Sequence, residues 1–234
     1  MKNNKPIGLI GGMSWESTLI YYQVLNREIQ SRMGGNHSAH ILLHSLDFES
    51  ITRLMARDDW QALEDIMVHS AETLARAGAG VILICTNTMH RVAPQVAARL
   101  DIPLLHIADA AGRALVDQGI DRVGLLGTAY TMEQDFYRKR LADSFGLGVD
   151  IPDQAQRQRI DHIIFHELVR GIIRPESQAF YKQVAEDLTR QGSRAILLGC
   201  TEIGLLLTPE VTDIPLFDTA HIHARAAVDW ALAQ

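Results

Sequence analysis

Apolar positions along the chain follow two alternating rhythms. Unbroken apolar runs, Val81-Ile82-Leu83-Ile84 and Ala195-Ile196-Leu197-Leu198, and glycine-interrupted ones, Ile7-Gly8-Leu9-Ile10 and Val123-Gly124-Leu125-Leu126, stop abruptly at glycine or cysteine. Runs of that length with sharp ends predict strands buried on both faces. Between them the period changes. Over residues 60–77, Leu63, Ile66, Met67, Ala71, Leu74 and Ala75 recur at spacings of three and four before Gly78, which predicts an amphipathic helix. Phe180, Val184 and Leu188 before Gly192 repeat the arrangement, residues 160–171 read as a further helix, and Ala224, Ala227, Val228 and Ala231 give a closing helix over about 218–234. Strands alternating with helices predict parallel sheets covered on both faces.

The pattern occurs twice. Gly8 and Gly124 stand 116 positions apart in similar glycine-ended runs, Cys85 and Cys200 stand 115 apart, and Asp101-Ile102-Pro103 precedes Asp213-Ile214-Pro215 by 112. Three pairs in one order at nearly constant offset indicate a tandem duplication. The expected fold is α/β: two pseudo-symmetric doubly wound lobes with mostly parallel sheets and an active-site cleft between them. The first lobe is expected over 1–116, the second over 117–217, and the closing helix packs back on the first. In such sheets ligands bind beyond the carboxyl ends of the strands, where Gly11-Gly12, Cys85, Thr128 and Cys200 fall.

Composition narrows the function. With 22 basic against 28 acidic residues and no basic cluster, nucleic acid is not an expected partner. The run after Pro6 is cut off by Gly11-Gly12 before it reaches signal-peptide length, and no stretch approaches the roughly 18 apolar residues of a membrane span. A cytoplasmic protein with no membrane partner is expected, and in that compartment the two cysteines are expected as free thiols.

Each thiol follows an apolar strand and precedes short polar residues: Cys85-Thr86-Asn87-Thr88-Met89-His90 and Cys200-Thr201-Glu202. A lone buried cysteine is usually a small hydrophobe. Two at matching strand ends suggest shared chemistry, because a thiol is both a nucleophile and a tunable proton carrier. Opposed carriers on the two faces of a planar intermediate suit inversion at a carbon α to a carboxylate. Asn87, Thr88, Thr131 and Thr201 would supply neutral donors to the carboxylate, with helix capping as the alternative role for each Thr. Glu202 and His90 are candidates to hold Cys200 in its reactive form, and His166 or Arg170 could supply a cation to a distal carboxylate, with a solvated helix face as the alternative for the last two. The ten histidines show no metal-site spacing, His221/His223 and His37/His40 included, and Gly11-Gly12 lacks a nucleotide-binding signature.

Gly8-Leu9-Ile10-Gly11-Gly12-Met13-Ser14-Trp15-Glu16, Asn87-Thr88-Met89-His90, Gly127-Thr128 with Thr131-Met132, and Gly199-Cys200-Thr201-Glu202 together resemble the aspartate/glutamate racemase family over nearly the whole chain. The resemblance implies an amino-acid racemase acting on a small-molecule amino acid, most often aspartate or glutamate. It implies no cofactor, neither pyridoxal phosphate nor metal, a homodimer, and a catalytic cysteine from each half. It also places Met13, Arg53 and Met55 beside the substrate. One departure matters. The family's first motif reads Cys-Asn-Thr-x-His, so anchoring on Asn87-Thr88-Met89-His90 puts Thr86, not Cys85, at the proton-carrier position. A one-residue step along a strand turns a side chain to the opposite face. Cys85 and Thr86 both stand as candidates opposite Cys200. A Thr hydroxyl is a poor base, so an asymmetric pair is expected; the second-half cysteine serves the L-substrate in the family this chain resembles, and the resemblance therefore implies a kinetic preference for that enantiomer. Maleate isomerase, malonate decarboxylase and a non-catalytic amino-acid-binding protein are alternatives.

Overall fold

The computed structural model describes residues 5–233. The first half contains strands β1 (Ile7–Gly11), β2 (Ile41–Ser45), β3 (Val81–Ile84) and β4 (Leu104–Leu105), with helices α1 (Trp15–Met33), α2 (Phe48–Ala56), α3 (Trp60–Arg76), α4 (Ala93–Ala97) and α5 (Ile107–Asp117). The second contains β5 (Arg122–Gly127), β6 (Gly148–Asp150), β7 (Ile196–Gly199) and β8 (Leu216–Asp218), with α6 (Ala129–Glu133), α7 (Asp135–Phe145), α8 (Gln154–His166), α9 (Pro175–Arg190) and α10 (Thr219–Leu232). Both sheets are wholly parallel and have the same topology: β2-β1-β3-β4 and β6-β5-β7-β8. The α/β duplication expected from the sequence is present.

Burial explains which strands announced themselves. All residues of β1, β3 and β7 are buried, as expected for strands covered on both faces. The edge strands β2 and β6 have no buried residue and no comparable apolar run. Gly8 and Gly124 serve one packing purpose: a Cβ at either would come 2.8 Å from Cδ1 of the isoleucine on the neighbouring strand, Ile82 or Ile196.

The chain divides into two compact units, one reaching Ile107 and resuming at His223, the other Ala108–Ile222. The residues 117–121 form the turn between α5 and β5 within the second. In the first unit, Leu63, Met67, Ala71 and Leu74 of α3 are buried as the sequence period requires. Ala224, Ala227, Val228 and Ala231 of α10 are also buried, and His223 and Arg225 of that helix bond Tyr21 and Glu28 of α1. In the second unit α5 packs through Gly112, where a Cβ would lie 2.4 Å from the Phe145 ring, and through the Asp109–Arg140 ion pair.

Two local expectations change. The buried aromatic of α9 is Tyr181; Phe180 is half-buried beneath the Arg159 guanidinium, 4.0 Å from its ring centroid. The helix expected over 160–171 ends at His166. A separate 3₁₀ turn, Leu168–Arg170, follows it, closed by Gly171 in the left-handed conformation at φ 68°.

Candidate active site

In the first unit β1 runs into a glycine turn that only glycine can make. Gly12 has φ 85°, and a Cβ there would sit 2.1 Å from the Leu46 carbonyl oxygen. Its N–H donates to Thr18 Oγ1 (2.8 Å), and Ser14 caps α1 by accepting from the Ser17 amide. Ser17 Oγ in turn donates to the Cys85 carbonyl at 3.0 Å, tying the start of α1 to the end of β3.

Strand register decides which first-half residue corresponds to Cys200. Gly8 pairs with Ile82 and Gly124 with Ile196, and the equivalent glycine contacts make these two pairs counterparts. Counting along the strands, Ile84 matches Leu198, Cys85 matches Gly199, and Thr86 matches Cys200. The 115-residue spacing of the cysteines is therefore one step out of structural register.

Burial agrees with the register. Cys85 is 0% exposed, and burial alone pushes its thiol far above the ordinary range. Thr86 is half-buried. Asn87, Thr88 and Met89 are buried in the turn that follows. Met13, after β1, and Met55, on α2, are buried in the same unit, while Arg53 points outward and pairs with Glu49 at 3.0 Å.

In the second unit β5 and β7 approach so closely that a Cβ on Gly127 would lie 2.9 Å from the Gly199 carbonyl oxygen. Thr128 caps α6, accepting from the Thr131 amide (3.3 Å), and the two hydroxyls meet at 3.2 Å. For this pair, capping is the role the geometry displays. Cys200 is 8% exposed and its Sγ donates to Glu202 Oε2 at 3.0 Å. Thr201 Oγ1 donates to the same oxygen at 2.7 Å. Burial, then the charge of Glu202 and its hydrogen bond, hold the thiol well above its ordinary pKa, with the Glu202 backbone N–H opposing in part. Burial first, and the Glu202 charge second, thus both favour the protonated form of this thiol.

The sequence pattern did not single out Asp161. Asp161 on α8 accepts from the Ala129 amide (2.8 Å), has its carboxyl raised chiefly by burial, and contributes to raising Cys200. Only its place in an amphipathic helix marked it. Both ring nitrogens of His90 are engaged within the first unit, with the Thr86 carbonyl and the Ile107 amide. His166 is exposed and stacked on His162, with centroids 4.1 Å apart, and Arg170 is exposed in the 3₁₀ turn. Among the described residues no group of three His, Cys, Asp or Glu side chains is arranged to hold a metal ion, and no helix is long and apolar enough to cross a membrane.

By fold this is a duplicated, all-parallel α/β protein with polar, proton-carrying groups at the ends of equivalent strands. The sequence profile of the Asp/Glu/Hydantoin racemase family matches residues 10–227, and the chain belongs to that family. That membership places it among the isomerases. Solved structures similar to it include a candidate Asp/Glu racemase from Yersinia pestis, 49% identical with TM-score 0.90, covering 97% of this chain and 99% of that one. An aspartate racemase homologue from Pyrococcus horikoshii is 31% identical with TM-score 0.84, at the same coverage. Among curated proteins, the broad specificity amino-acid racemase RacX of Bacillus subtilis is 23% identical over 97% of this chain and 98% of its own length.

Proposed function

We propose that the protein is a cofactor-independent amino-acid racemase, with aspartate and glutamate as first substrates and faster Cα exchange from the L-enantiomer. The observation that carries the reading is the pairing of Cys200 with Glu202 at the end of β7, at the position that register equates with Thr86 at the end of β3. The substrate class rests on the family and on the relatives' descriptions. Buried Met13 and Met55 in the first unit are compatible with a pocket that also takes less polar side chains.

The proton account closes without another co-reactant. The Cys200 proton moves to Glu202, and the thiolate takes the Cα proton, leaving an enolate-like carboxylate. Neutral donors stabilise that species where its charge develops; Asn87 and Thr88 are the candidates, the Thr201 hydroxyl already donating to Glu202. Thr86 passes a proton from water to the opposite face, and the hydroxide left behind is neutralised by the proton held on Glu202. Cys200 and Glu202 return to their starting states. The cycle requires Thr86 and Cys200 to reach the same stereocentre, and this requirement belongs to the proposal, as do a homodimer and a cytoplasmic location. Cys85 is assigned a packing role.

An NMR screen of L- and D-amino acids in deuterated buffer, followed through loss of the Cα proton signal, tests the reading. Exchange and inversion of aspartate or glutamate, persisting in EDTA, are expected. Tight amino-acid binding with no deuterium at Cα would replace the racemase with a binding protein.

A further inference from the structure

Three buried histidines lie close together in the first unit. His90 lies in the 3₁₀ turn Thr88–Val92, His106 immediately precedes α5, and His223 is the residue at which α10 joins the first unit. His90 is 1% exposed; its ring centroid is 4.5 Å from that of His106 and 5.8 Å from that of His223.

The hydrogen bonds fix the state of the His90 ring. The Ile107 amide can only donate, so Nε2, at 3.1 Å, accepts and carries no hydrogen. The Thr86 carbonyl can only accept, so Nδ1, at 2.8 Å, carries the hydrogen. His90 is neutral in one tautomer. At His223, Nε2 donates to the Leu105 carbonyl at 2.9 Å, and Nδ1 is hydrogen-bonded with the Tyr21 hydroxyl at 2.8 Å.

The duplication shows what is special here. In the second half the helix that follows β8 is capped locally, Asp218 Oδ1 accepting from the amides of Ala220 and His221. His106 occupies the position 112 residues before Asp218, the offset of the Pro103/Pro215 pair. In the first half the Ile107 amide at the start of α5, the counterpart of Thr219 at that offset, has its acceptor on the strand-end loop that carries Thr86.

We infer that His90 is a positioning residue for Thr86: its neutral ring braces the carbonyl of the proton carrier against the first amide of α5. The inference rests on the racemase reading. It assigns His90 to the step that returns the proton, leaving abstraction by Cys200 to the other unit. A ring that serves both partners resists displacement of the loop along either bond, and a misplacement of about 1 Å at a reacting group costs on the order of a hundredfold in rate.

The test separates two rates in deuterated buffer for L-aspartate and L-glutamate: deuterium entering Cα of the L-enantiomer, and formation of the D-enantiomer. In His90→Ala, formation of D is expected to fall about tenfold to a hundredfold while entry into L falls much less. His90→Gln, which offers one donor and one acceptor in a single group, restores most of the inversion. Equal loss of both rates at unchanged melting temperature, or no loss of inversion, overturns the inference. If His90→Ala does not fold, His90→Gln and ¹⁵N NMR of the wild-type ring decide. A hydrogen on Nε2 instead of Nδ1, or Gln failing to support inversion while folded, also overturns it. Absence of any exchange in the wild type would refute the racemase reading itself, and the ring tautomer would still report whether the brace exists.

Discussion

The ends of β3 and β7 are counterparts in one duplicated fold, yet they present different chemistry. After β7 a barely accessible thiol donates a hydrogen bond to a carboxylate. After β3 the thiol stands one residue earlier, sealed in the core, and a half-buried hydroxyl occupies the matching position. Its loop is braced by Ser17 and His90, where the second half uses Glu202 and Asp218 for other purposes. Duplication preserves backbone register more faithfully than side-chain chemistry. Two similar residues at a similar spacing need not be equivalents, because one step along an extended backbone turns a side chain to the opposite face.

The largest expected effect falls on the second strand end. Cys200→Ala should lower Cα exchange from L-aspartate or L-glutamate by about a thousandfold, the scale of a lost general acid–base group; exchange within a few-fold of wild type would remove the thiol from the mechanism. On the first strand end the two candidates should separate. Thr86→Ala is expected to cut D-enantiomer formation about a hundredfold. Cys85→Ala should leave it nearly intact and lower unfolding free energy by about 1 kcal/mol, as a small core truncation does. The opposite ranking would restore Cys85 as the carrier.

Glu202→Gln sharpens the contrast between resting and reactive thiol. Removing the carboxylate charge removes an influence that raises the Cys200 pKa, so alkylation at mildly alkaline pH should become faster. Racemisation should slow, because the thiol proton loses its acceptor. Slower alkylation would contradict the assigned role.

The smallest effect concerns an edge of the second sheet. Arg122 forks onto Asp150 at 2.7 and 2.8 Å, and Ser193 donates to the same carboxylate. Register places Pro6, which cannot form such a pair, at the matching position of the first half. The Arg122 hydrogen bond holds the Asp150 carboxyl below its ordinary value of 3.8. A depressed carboxyl contributes stability that is present above 3.8 and lost as pH falls through the lower folded value. Exposure of Arg122 keeps that contribution modest. Acid titration of unfolding should show the loss in wild type and a flatter profile in Arg122→Ala; identical profiles would remove the brace from the pH response.

Much of this was legible in the chain. Buried parallel strands write themselves as apolar runs, and α3 and α10 show their buried stripes in the spacing of Leu63, Met67, Ala71 and Leu74 and of Ala224, Ala227, Val228 and Ala231. Edge strands β2 and β6 are half-exposed and carry no such run. The Thr86 candidate came from motif order, and strand register supplies an independent reason for it. What could not be read depends on distant packing. His90, His106 and His223 are far apart in sequence, and the protonated state of Cys200 follows from how deeply Glu202 and the thiol are buried together.

The ratio of Cα exchange rates for the L- and D-enantiomers, measured in deuterated buffer for wild type and Thr86→Cys, tests most directly whether Thr86 is the counterpart of Cys200. Equilibrium between enantiomers remains 1:1, so the ratio reports carriers alone. The account predicts a ratio well above one in wild type that falls toward one when a second thiol is supplied at position 86. A wild-type ratio of one, or a ratio unmoved by the substitution, would contradict it.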